Sequence, residues 1–199
     1  MPAKINASTS SGLVVDSDLT GSLKLQTGGN DALSIDSSQV VNFAKQFQIG
    51  GVLPPTFYAY SSGSRTYAGN GTDTKVVLNT EAWDTNSNFD SSTNYRFTAT
   101  VAGYYQISIG TIGSFASPGT GGYGAVIIYK NGASYSSGSY NSSSNGNYYG
   151  MSHSNLVYMN GTTDYIELYI NTNNNSTYTF QTQGTLGGTF MSGILVRAA

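Results

Sequence analysis

The clearest pattern in the chain is an alternation of apolar and polar residues from position 94 to 109. Apolar residues hold every odd position except Gly103, and mainly arginine, threonine, glutamine and serine hold the even ones. A period of two is typical of β-strands with one buried face. The pattern predicts two strands separated by a tight turn, where Gly103 adopts a backbone conformation that other residues avoid. We expect Phe97, Tyr105 and Ile107 to lie in the core.

Similar segments recur at regular intervals after two consecutive prolines, Pro54 and Pro55. Glycine, asparagine and serine separate the segments, and none of them has the periodicity of a helix. The pattern therefore predicts an all-β sandwich or jelly roll. Its strands are expected at residues 56–60, 75–79, 95–99, 104–109, 124–130, 155–159, 165–170 and 188–197.

Residues 1–53 have a different character, because their apolar segments are short and turn residues separate them. Such a region has too few large apolar side chains to form its own core, so we expect it to dock on a partner or to wind around copies of itself. The sequence predicts an N-terminal β arm over residues 1–53, for anchoring and trimerisation, and a second domain over 54–199. The short strands are expected at residues 13–15, 22–26, 32–35 and 40–43.

Charge is scarce in this protein. Charged residues make up 9% of the chain, against about a quarter in an average protein. The formal net charge is -2 and the basic residues are scattered, so we expect no nucleic-acid binding. No apolar run approaches the roughly 20 residues of a membrane span, so we expect no membrane insertion. The chain has no cysteine, and its N-terminus has no apolar segment of a signal peptide, so we expect synthesis in the cytoplasm.

Residues that could carry out catalysis are few. His153 is the only histidine, and it has no cysteine or second histidine with which to form a zinc site or a Ser-His-acid relay. A glycosidase could use Asp84 with Asp90, or Asp164 with Glu167, if the paired carboxylates lay about 5–9 Å apart. Nothing in the sequence brings them together, and we therefore expect a protein that is not an enzyme.

The segment from residue 84 to 90 places oxygen-bearing side chains at alternate positions, as calcium-binding loops do. However, Phe89 stands where an EF-hand loop needs glycine, and Tyr95 stands where it needs a bidentate glutamate. The alternative interpretation is a turn rich in asparagine and aspartate. We expect no metal site and no cofactor, with calcium open as an alternative.

Two loop regions, residues 132–150 and 171–183, combine tyrosine with serine, glycine and asparagine. This composition is typical of adaptable binding loops, because rigid rings provide contact area and small polar residues provide hydrogen bonds. It also suits sugar rings and their hydroxyl groups. The alternative is that these loops are only solvated connections. The candidate ligand-binding residues are Tyr135, Tyr140, Tyr148, Tyr149, Tyr178 and Phe180.

The chain after residue 54 contains these landmarks: Phe57-Tyr58-Ala59, Asn79, Phe97-Thr98-Ala99, Ala102-Gly103, Tyr105, Lys130-Asn131-Gly132, Gly161, Asp164, Ile166 and Phe190-Met191-Ser192-Gly193-Ile194-Leu195-Val196. In this order they resemble the globular domain of the C1q family. The resemblance covers about residues 55–198 and implies a ten-stranded C1q/TNF-like jelly-roll sandwich, assembled as a compact homotrimer. Thr100 stands where the family often has proline. The family usually has an acidic residue directly after Gly161, whereas Asp164 stands three positions after that glycine; both departures fall at turns.

Two predicted strands give an independent reason to expect an oligomer. In residues 124–129 and 165–170 both faces carry apolar or aromatic side chains, which a face in contact with water does not need. One face would fill the sandwich, and the other could fill an assembly axis. Alternatively, the tyrosines merely cover a solvated β surface.

The N-terminal region contains the segments Gly12-Leu13-Val14-Val15-Asp16, Gly21-Ser22-Leu23-Lys24-Leu25-Gln26-Thr27-Gly28-Gly29 and Ala32-Leu33-Ser34-Ile35-Asp36. They resemble the N-terminal segments of tailed-phage structural proteins, especially fibre-type proteins. The two resemblances imply a trimeric virion protein whose arm contacts other virion proteins and whose C1q-like head binds a host-surface glycan or protein. The alternative is a capsid head-fibre or decoration protein with a mainly structural role.

Overall fold

The computed structural model describes residues 23–27, 30–35, 37–38, 41–43, 54–116, 123–141, 149–173, 177–180 and 188–199. All regular secondary structure in these ranges is β-strand, which confirms the all-β prediction. These ranges contain no helix that is long and apolar enough to cross a membrane. The chain divides into two compact units, Met1–Gln48 and Ile49–Ala199, which are described separately.

The smaller unit contains three strands, β1 (Leu23–Thr27), β2 (Asn30–Ile35) and β3 (Val41–Phe43), which form one antiparallel sheet in that order. Their register places Leu33 of the central strand between Leu25 and Phe43. The Leu25 side chain is 47% exposed. These strands are three to six residues long. The strand predicted at residues 13–15 lies outside the described residues.

The larger unit contains two antiparallel sheets, which we call the front sheet and the back sheet. Several of the strands that form them have only two or three residues. In chain order they are β4 (Thr56–Tyr60), β5 (Thr66–Tyr67), β6 (Thr74–Lys75), β7 (Thr80–Asp84), β8 (Phe89–Asp90), β9 (Arg96–Thr98), β10 (Gly103–Phe115), β11 (Tyr123–Lys130), β12 (Ala133–Asn141), β13 (Tyr149–Met159), β14 (Tyr165–Asn173), β15 (Tyr178–Phe180) and β16 (Phe190–Ala198).

The long strand β10 is the centre of the front sheet. Strand β13 pairs along one edge of β10, while β16 and β15 pair with successive parts of β10. Beyond β16 come β4 and then β7, and β5 pairs with β15. The back sheet has the order β12-β11-β14-β9-β8, and β6 pairs with the part of β14 that β9 does not reach.

Aromatic rings fill the space between the two sheets. Phe57 of the front sheet stacks on Phe97 of the back sheet, with ring centroids 4.2 Å apart and an interplanar angle of 11°. Tyr105 lies 5.5 Å from Phe97, and its hydroxyl donates a hydrogen bond to the Val101 carbonyl oxygen at 2.8 Å. Phe97, Tyr105 and Ile107 are fully buried, which confirms the predicted core residues.

The interruption at Gly103 takes the chain from one sheet to the other. Strand β9 belongs to the back sheet and β10 to the front sheet, so the two predicted strands exist but do not pair with each other. Gly103 has a φ of +156°, and a Cβ atom there would lie 2.3 Å from the Arg197 carbonyl oxygen. Glycine is required because the backbone of β16 passes too close for any side chain.

Several strands differ from the prediction. The alternating pattern does not predict β5, β7, β8, β12 or β15. A strand was expected at residues 75–79, but β6 ends at Lys75, although Val76 and Leu78 are buried. Strand β12 is rich in serine and has no alternating apolar set. It lies at an edge of the back sheet, where backbone pairing with β11 holds it in place. The described part of the larger unit therefore has thirteen strands, where ten were expected.

Asp164 connects the turns at one end of the sandwich. Its carboxylate is almost fully buried and accepts hydrogen bonds from the Asn131 side chain at 2.8 Å and the Asn160 backbone N–H at 3.0 Å. The Lys130 ammonium lies 2.9 Å away. Burial raises the pKa of Asp164, but these hydrogen bonds and the Lys130 charge outweigh it, so the pKa is lowered overall.

We expect Asp164→Ala to lower the free energy of unfolding by about 2–3 kcal/mol at neutral pH, because it removes three charge-assisted contacts at once. Since the folded pKa is lowered, the stabilisation is present above the ordinary value of 3.8 and is lost as the pH falls below it. Urea unfolding measures the change. The control is Glu81→Ala, which removes an exposed carboxylate that accepts one hydrogen bond, from Ser91. Equal losses in both variants would contradict the prediction.

Buried tyrosines make the fold sensitive to alkali. Burial raises the pKa of Tyr105 to about 12, although its hydrogen bond to Val101 lowers it somewhat, and burial also raises the pKa of Tyr178. A raised folded pKa means that stability is complete below the ordinary value of 10.0 and is lost as the pH rises towards 12. We expect the phenolate absorbance of the buried tyrosines to rise together with the loss of the β circular dichroism signal. Full ionisation near pH 10 with an intact β signal would contradict this.

Candidate interaction face

The outward side of the front sheet carries large apolar side chains. We call it the exposed face, and it consists of the outward positions of β4, β7, β10, β13 and β16. Its most exposed large residues are each 43–53% exposed. Monomeric proteins rarely expose a contiguous apolar surface of this kind. These residues are Trp83, Tyr104, Leu156, Tyr158, Ile194 and Val196.

The alternation of the strands explains why these side chains point outward. On β10, Tyr105 and Ile107 are buried, so Tyr104 and Gln106 between them must face the other side. On β16, Leu195 is buried while Ile194 and Val196 are exposed. Strands that are apolar on both sides are typical of sheets covered on both faces.

The register brings these residues together across the strands. Tyr104 lies opposite Tyr158 with ring centroids 5.4 Å apart. Gln106 lies between Leu156 on β13 and Ile194 on β16. The ridge formed by Leu156 and Tyr158 is therefore continuous with the apolar residues of the neighbouring strands, and we call it the β13 ridge.

Aromatic rings form a second group towards the opposite edge of the face. Tyr58 lies 5.1 Å from Trp83 and stacks on Phe190 at 5.3 Å with an interplanar angle of 9°. The Trp83 indole N–H donates a hydrogen bond to the Thr56 hydroxyl at 3.3 Å, which holds the ring in one orientation. The group therefore forms a fixed wall along β4 and β7.

A recess lies between this wall and the centre of the face. Its volume is about 350 Å³, and its lining includes Ser108 and Ser192, whose small side chains leave the space open. We call it the serine recess. Gln106 and Ile194 form one side of it, and Tyr58 and Trp83 form the other. The lining side chains have no formal charge at neutral pH, so the recess suits an uncharged group.

The outward side of the back sheet differs, because its own side chains cover it. Tyr129 stacks on Tyr169 at 3.8 Å, and Asp73 accepts hydrogen bonds from the Tyr129 hydroxyl and the Asn171 side chain. Ile127 is only 5% exposed although it shares this side of the sheet. The role of the second face of β11 and β14 in an assembly axis stays a prediction. Among the described residues of the larger unit, the large exposed apolar side chains lie on the front sheet, apart from Tyr135 on β12.

The candidate ligand-binding residues have three different positions. Tyr135 is 47% exposed on β12, as a ligand contact requires. Tyr140 belongs to β12, but its side chain lies outside the described part of the chain, as does all of Tyr148. Tyr149, Tyr178 and Phe180 are buried in strands rather than exposed in loops.

The burial of these three residues corrects the prediction, because a side chain inside the core cannot present its ring to a ligand. Phe115 packs against Tyr149 at 5.4 Å and against Tyr178 at 4.9 Å. The Tyr178 hydroxyl donates a hydrogen bond to the Tyr149 carbonyl oxygen at 2.9 Å. Alternation in the sequence is the signal that could have predicted this burial. Tyr178 and Phe180 lie on either side of an outward-facing threonine, and Tyr149 lies two positions before Met151.

The carboxylates considered for catalysis or calcium are held in separate structural contacts. Asp84 accepts hydrogen bonds from the Asn86 and Phe89 backbone N–H groups, and Asp90 caps the turn that follows it. Glu167 forms an ion pair with Lys75. The alternative interpretation of residues 84–90 as an aspartate-rich turn fits this geometry. No group of three or more acidic or histidine side chains in the described ranges could hold a metal ion.

We expect Phe180→Ala to lower the free energy of unfolding by about 3–5 kcal/mol, because it leaves a cavity in the core. Tyr135→Ala removes an exposed ring and is expected to change stability by no more than about 0.5 kcal/mol. Thermal or urea unfolding of both variants measures the difference. A stable Phe180→Ala variant would contradict the position of this ring in the core.

Comparison with known proteins supports the fold. No family model and no curated protein matches the chain. Similar solved structures include the Eiger TNF protein of S. frugiperda, with a TM-score of 0.52 and 9% identity, covering 73% of this chain and 93% of that one. Murine APRIL has a TM-score of 0.50 and 11% identity, covering 72% and 99%. Identities this low show the fold alone, and the larger unit thus has the C1q/TNF-like jelly-roll fold that was predicted.

Proposed function

We propose that this protein is a homotrimeric, non-enzymatic virion protein of a tailed phage, and that its jelly-roll head binds a glycan or protein on the host surface. Its N-terminal arm would contact other virion proteins. The observation that carries the proposal is the exposed face of the front sheet. An apolar face of this kind is stable when another surface covers it. In a structural protein that works as an assembly, further copies of the same chain provide that surface.

Hydrophobic burial favours self-association through this face. Each of its six most exposed large side chains leaves about half of its surface in water. Covering that half is worth on the order of 1 kcal/mol for each side chain. A ring of copies covers every face, because each copy both offers and receives a surface. The resemblance to the C1q globular domain implies that the ring has three members.

The smaller unit supports attachment to a larger particle. Its three short strands place Leu25, Leu33 and Phe43 in register, yet Leu25 is about half exposed. A sheet of this size gains stability when a partner covers its apolar residues. The resemblance of the segment to the N-terminal regions of tailed-phage proteins suggests that other virion proteins, or copies of the arm, are those partners.

The back sheet supports a binding role without chemistry. If the front sheet is buried in the assembly, the back sheet with Tyr135 on β12 remains accessible. Tyr135 has serine neighbours on both sides, a combination that suits neutral polar ligands such as sugars. Asp164 and Glu167 are each paired with a lysine, which leaves neither carboxylate available as a catalytic acid. Three weak sites on one trimer would convert modest affinity into firm attachment.

Locating the protein in the particle tests this proposal. We expect the purified chain to sediment at three times its 20.9 kDa mass, and a particle reconstruction to place trimers on the tail. Trimers on the capsid lattice would instead favour the second candidate function, a head-fibre or decoration protein. Absence of the protein from purified particles would overturn both.

We expect replacement of Tyr135, Tyr140 and Tyr148 by alanine to reduce binding to host cells at least tenfold, because three copies lose their aromatic contacts together. Labelled protein on host cells measures binding. The matched control replaces the same residues by phenylalanine, which keeps the rings and retains most of the binding if stacking dominates. Unchanged binding by an alanine variant that remains trimeric would show that these residues are not the ligand site.

A further inference from the structure

We infer that the serine recess of the front sheet is a binding site for a neutral sugar. This inference goes beyond the proposed function, in which the host ligand contacts Tyr135 on the back sheet. The recess combines three properties that suit a sugar ring. It has an aromatic wall for the C–H groups of the ring, serine hydroxyls for the hydroxyl groups of the ring, and lining side chains without formal charge.

The floor of the recess belongs to a row of serines that crosses three neighbouring strands. Ser108 of β10 lies opposite Ser154 of β13 on one side and opposite Ser192 of β16 on the other. Ser192 in turn lies opposite Tyr58, and Tyr58 lies opposite Trp83. Because adjacent strands are about 4.8 Å apart, the three serines extend over roughly 10 Å. The sheet therefore carries a polar strip that ends at two aromatic rings.

Larger side chains lie on both sides of this row. On one side, Gln106 lies opposite Ile194, and both line the recess. On the other side, Phe190 lies opposite Gly110, and a Cβ atom on that glycine would lie 2.6 Å from the Phe190 ring. The phenyl ring therefore covers the glycine. The serines lie lower than the residues on either side, so they form the floor of a groove that runs across the strands.

The serine hydroxyls can form further hydrogen bonds. The Ser108 hydroxyl lies 3.1 Å from the Ser154 hydroxyl, which also accepts a hydrogen bond from the Gln106 side-chain amide. The Ser192 hydroxyl has no hydrogen-bond partner among the residues that the structure describes. A hydroxyl group can donate one hydrogen bond and accept two. Ser108 and Ser192 can therefore each bond to a hydroxyl group of a sugar.

A neutral sugar suits the recess better than an aliphatic or a charged group. An aliphatic group would bury the Ser192 hydroxyl without a partner, which costs free energy. A charged group would lose its water and would find no opposite charge among the lining side chains. A sugar avoids both costs, because its hydroxyl groups pair with the serines while its C–H groups contact the rings.

The aromatic wall has its shape before a ligand arrives. The Trp83 indole N–H donates a hydrogen bond to the Thr56 hydroxyl at 3.3 Å, and the Trp83 ring lies 5.1 Å from the Tyr58 ring at an angle of 34°. Trp83 nevertheless remains 46% exposed, so part of its ring is available for contact. A wall that is fixed in the free protein loses little conformational entropy when a ligand binds.

Fluorescence provides a direct test, because Trp83 is the only tryptophan in the chain and therefore reports on this recess alone. The unmodified protein, in the oligomeric state that sedimentation measures, is titrated with neutral disaccharides and trisaccharides of glucose, galactose, mannose and N-acetylglucosamine. We expect at least one of them to give a saturable change with one site per chain. Disaccharides that contain glucuronic acid are expected to bind at least tenfold more weakly, because the lining side chains provide no cation.

Substitutions at the floor of the recess test where the sugar binds. We expect Ser192→Leu to weaken binding at least tenfold, because the leucine fills the recess and removes a hydroxyl group. The matched control is Ser152→Leu on β13, which places the same side chain on the same sheet outside the recess lining and is expected to change binding by less than about twofold. Circular dichroism confirms that both variants are folded.

Calorimetry adds a measurement that does not depend on fluorescence, so the wall itself can be changed. We expect Trp83→Ala to weaken binding at least tenfold and Trp83→Phe to retain part of the binding, because phenylalanine still provides a ring.

Three results would overturn the inference. The first is the absence of a saturable change with every neutral saccharide, as would occur if a second copy of the chain closed the recess in the assembly. The second is a saturable change that persists in the Ser192→Leu variant. The third is equal binding of the acidic saccharides. Each leaves the proposed function intact, because attachment through Tyr135 does not use the recess. A protein that binds the sugar but sediments as a monomer would instead refute only the proposed trimer.

Discussion

The stacking of Phe57 on Phe97 is the contact on which the sandwich depends, because it joins the two sheets directly. Tyr105 packs against Phe97, and its hydroxyl bonds to the Val101 carbonyl oxygen in the segment that connects β9 with β10. Side chains of this size fix the inward positions of three strands. By alternation they also fix the outward positions, so the aromatic core decides which residues face water or a partner.

The outer surfaces of the two sheets differ in how far they expose apolar side chains to water. On the back sheet, Asp73, Tyr129 and Asn171 form a hydrogen-bonded cover, and Ile127 is buried although it is on the outer side. On the front sheet the corresponding positions carry exposed residues such as Ile194 and Tyr104. The described part of the larger unit therefore has one surface that its own side chains largely cover and one that leaves large apolar side chains exposed.

Scarcity of charge gives the few carboxylates structural importance. Asp164 accepts hydrogen bonds from the turn before β12 and from the turn before β14. Asp90 accepts hydrogen bonds from several backbone N–H groups of its own turn. Oxygens occupied in this way are not available to a metal ion or a substrate. These carboxylates therefore hold the turns of the sandwich together.

Sequence alone determined the local strand pattern and the core, because alternation records which side of a strand is buried. It identified Phe97, Tyr105 and Ile107, and the resemblance to C1q indicated the jelly roll. Tertiary structure decided what alternation cannot express: that β9 and β10 belong to different sheets, and that Tyr178 and Phe180 are buried. It also decided which face is open, since an apolar residue reads the same in sequence whether its own chain or another copy covers it.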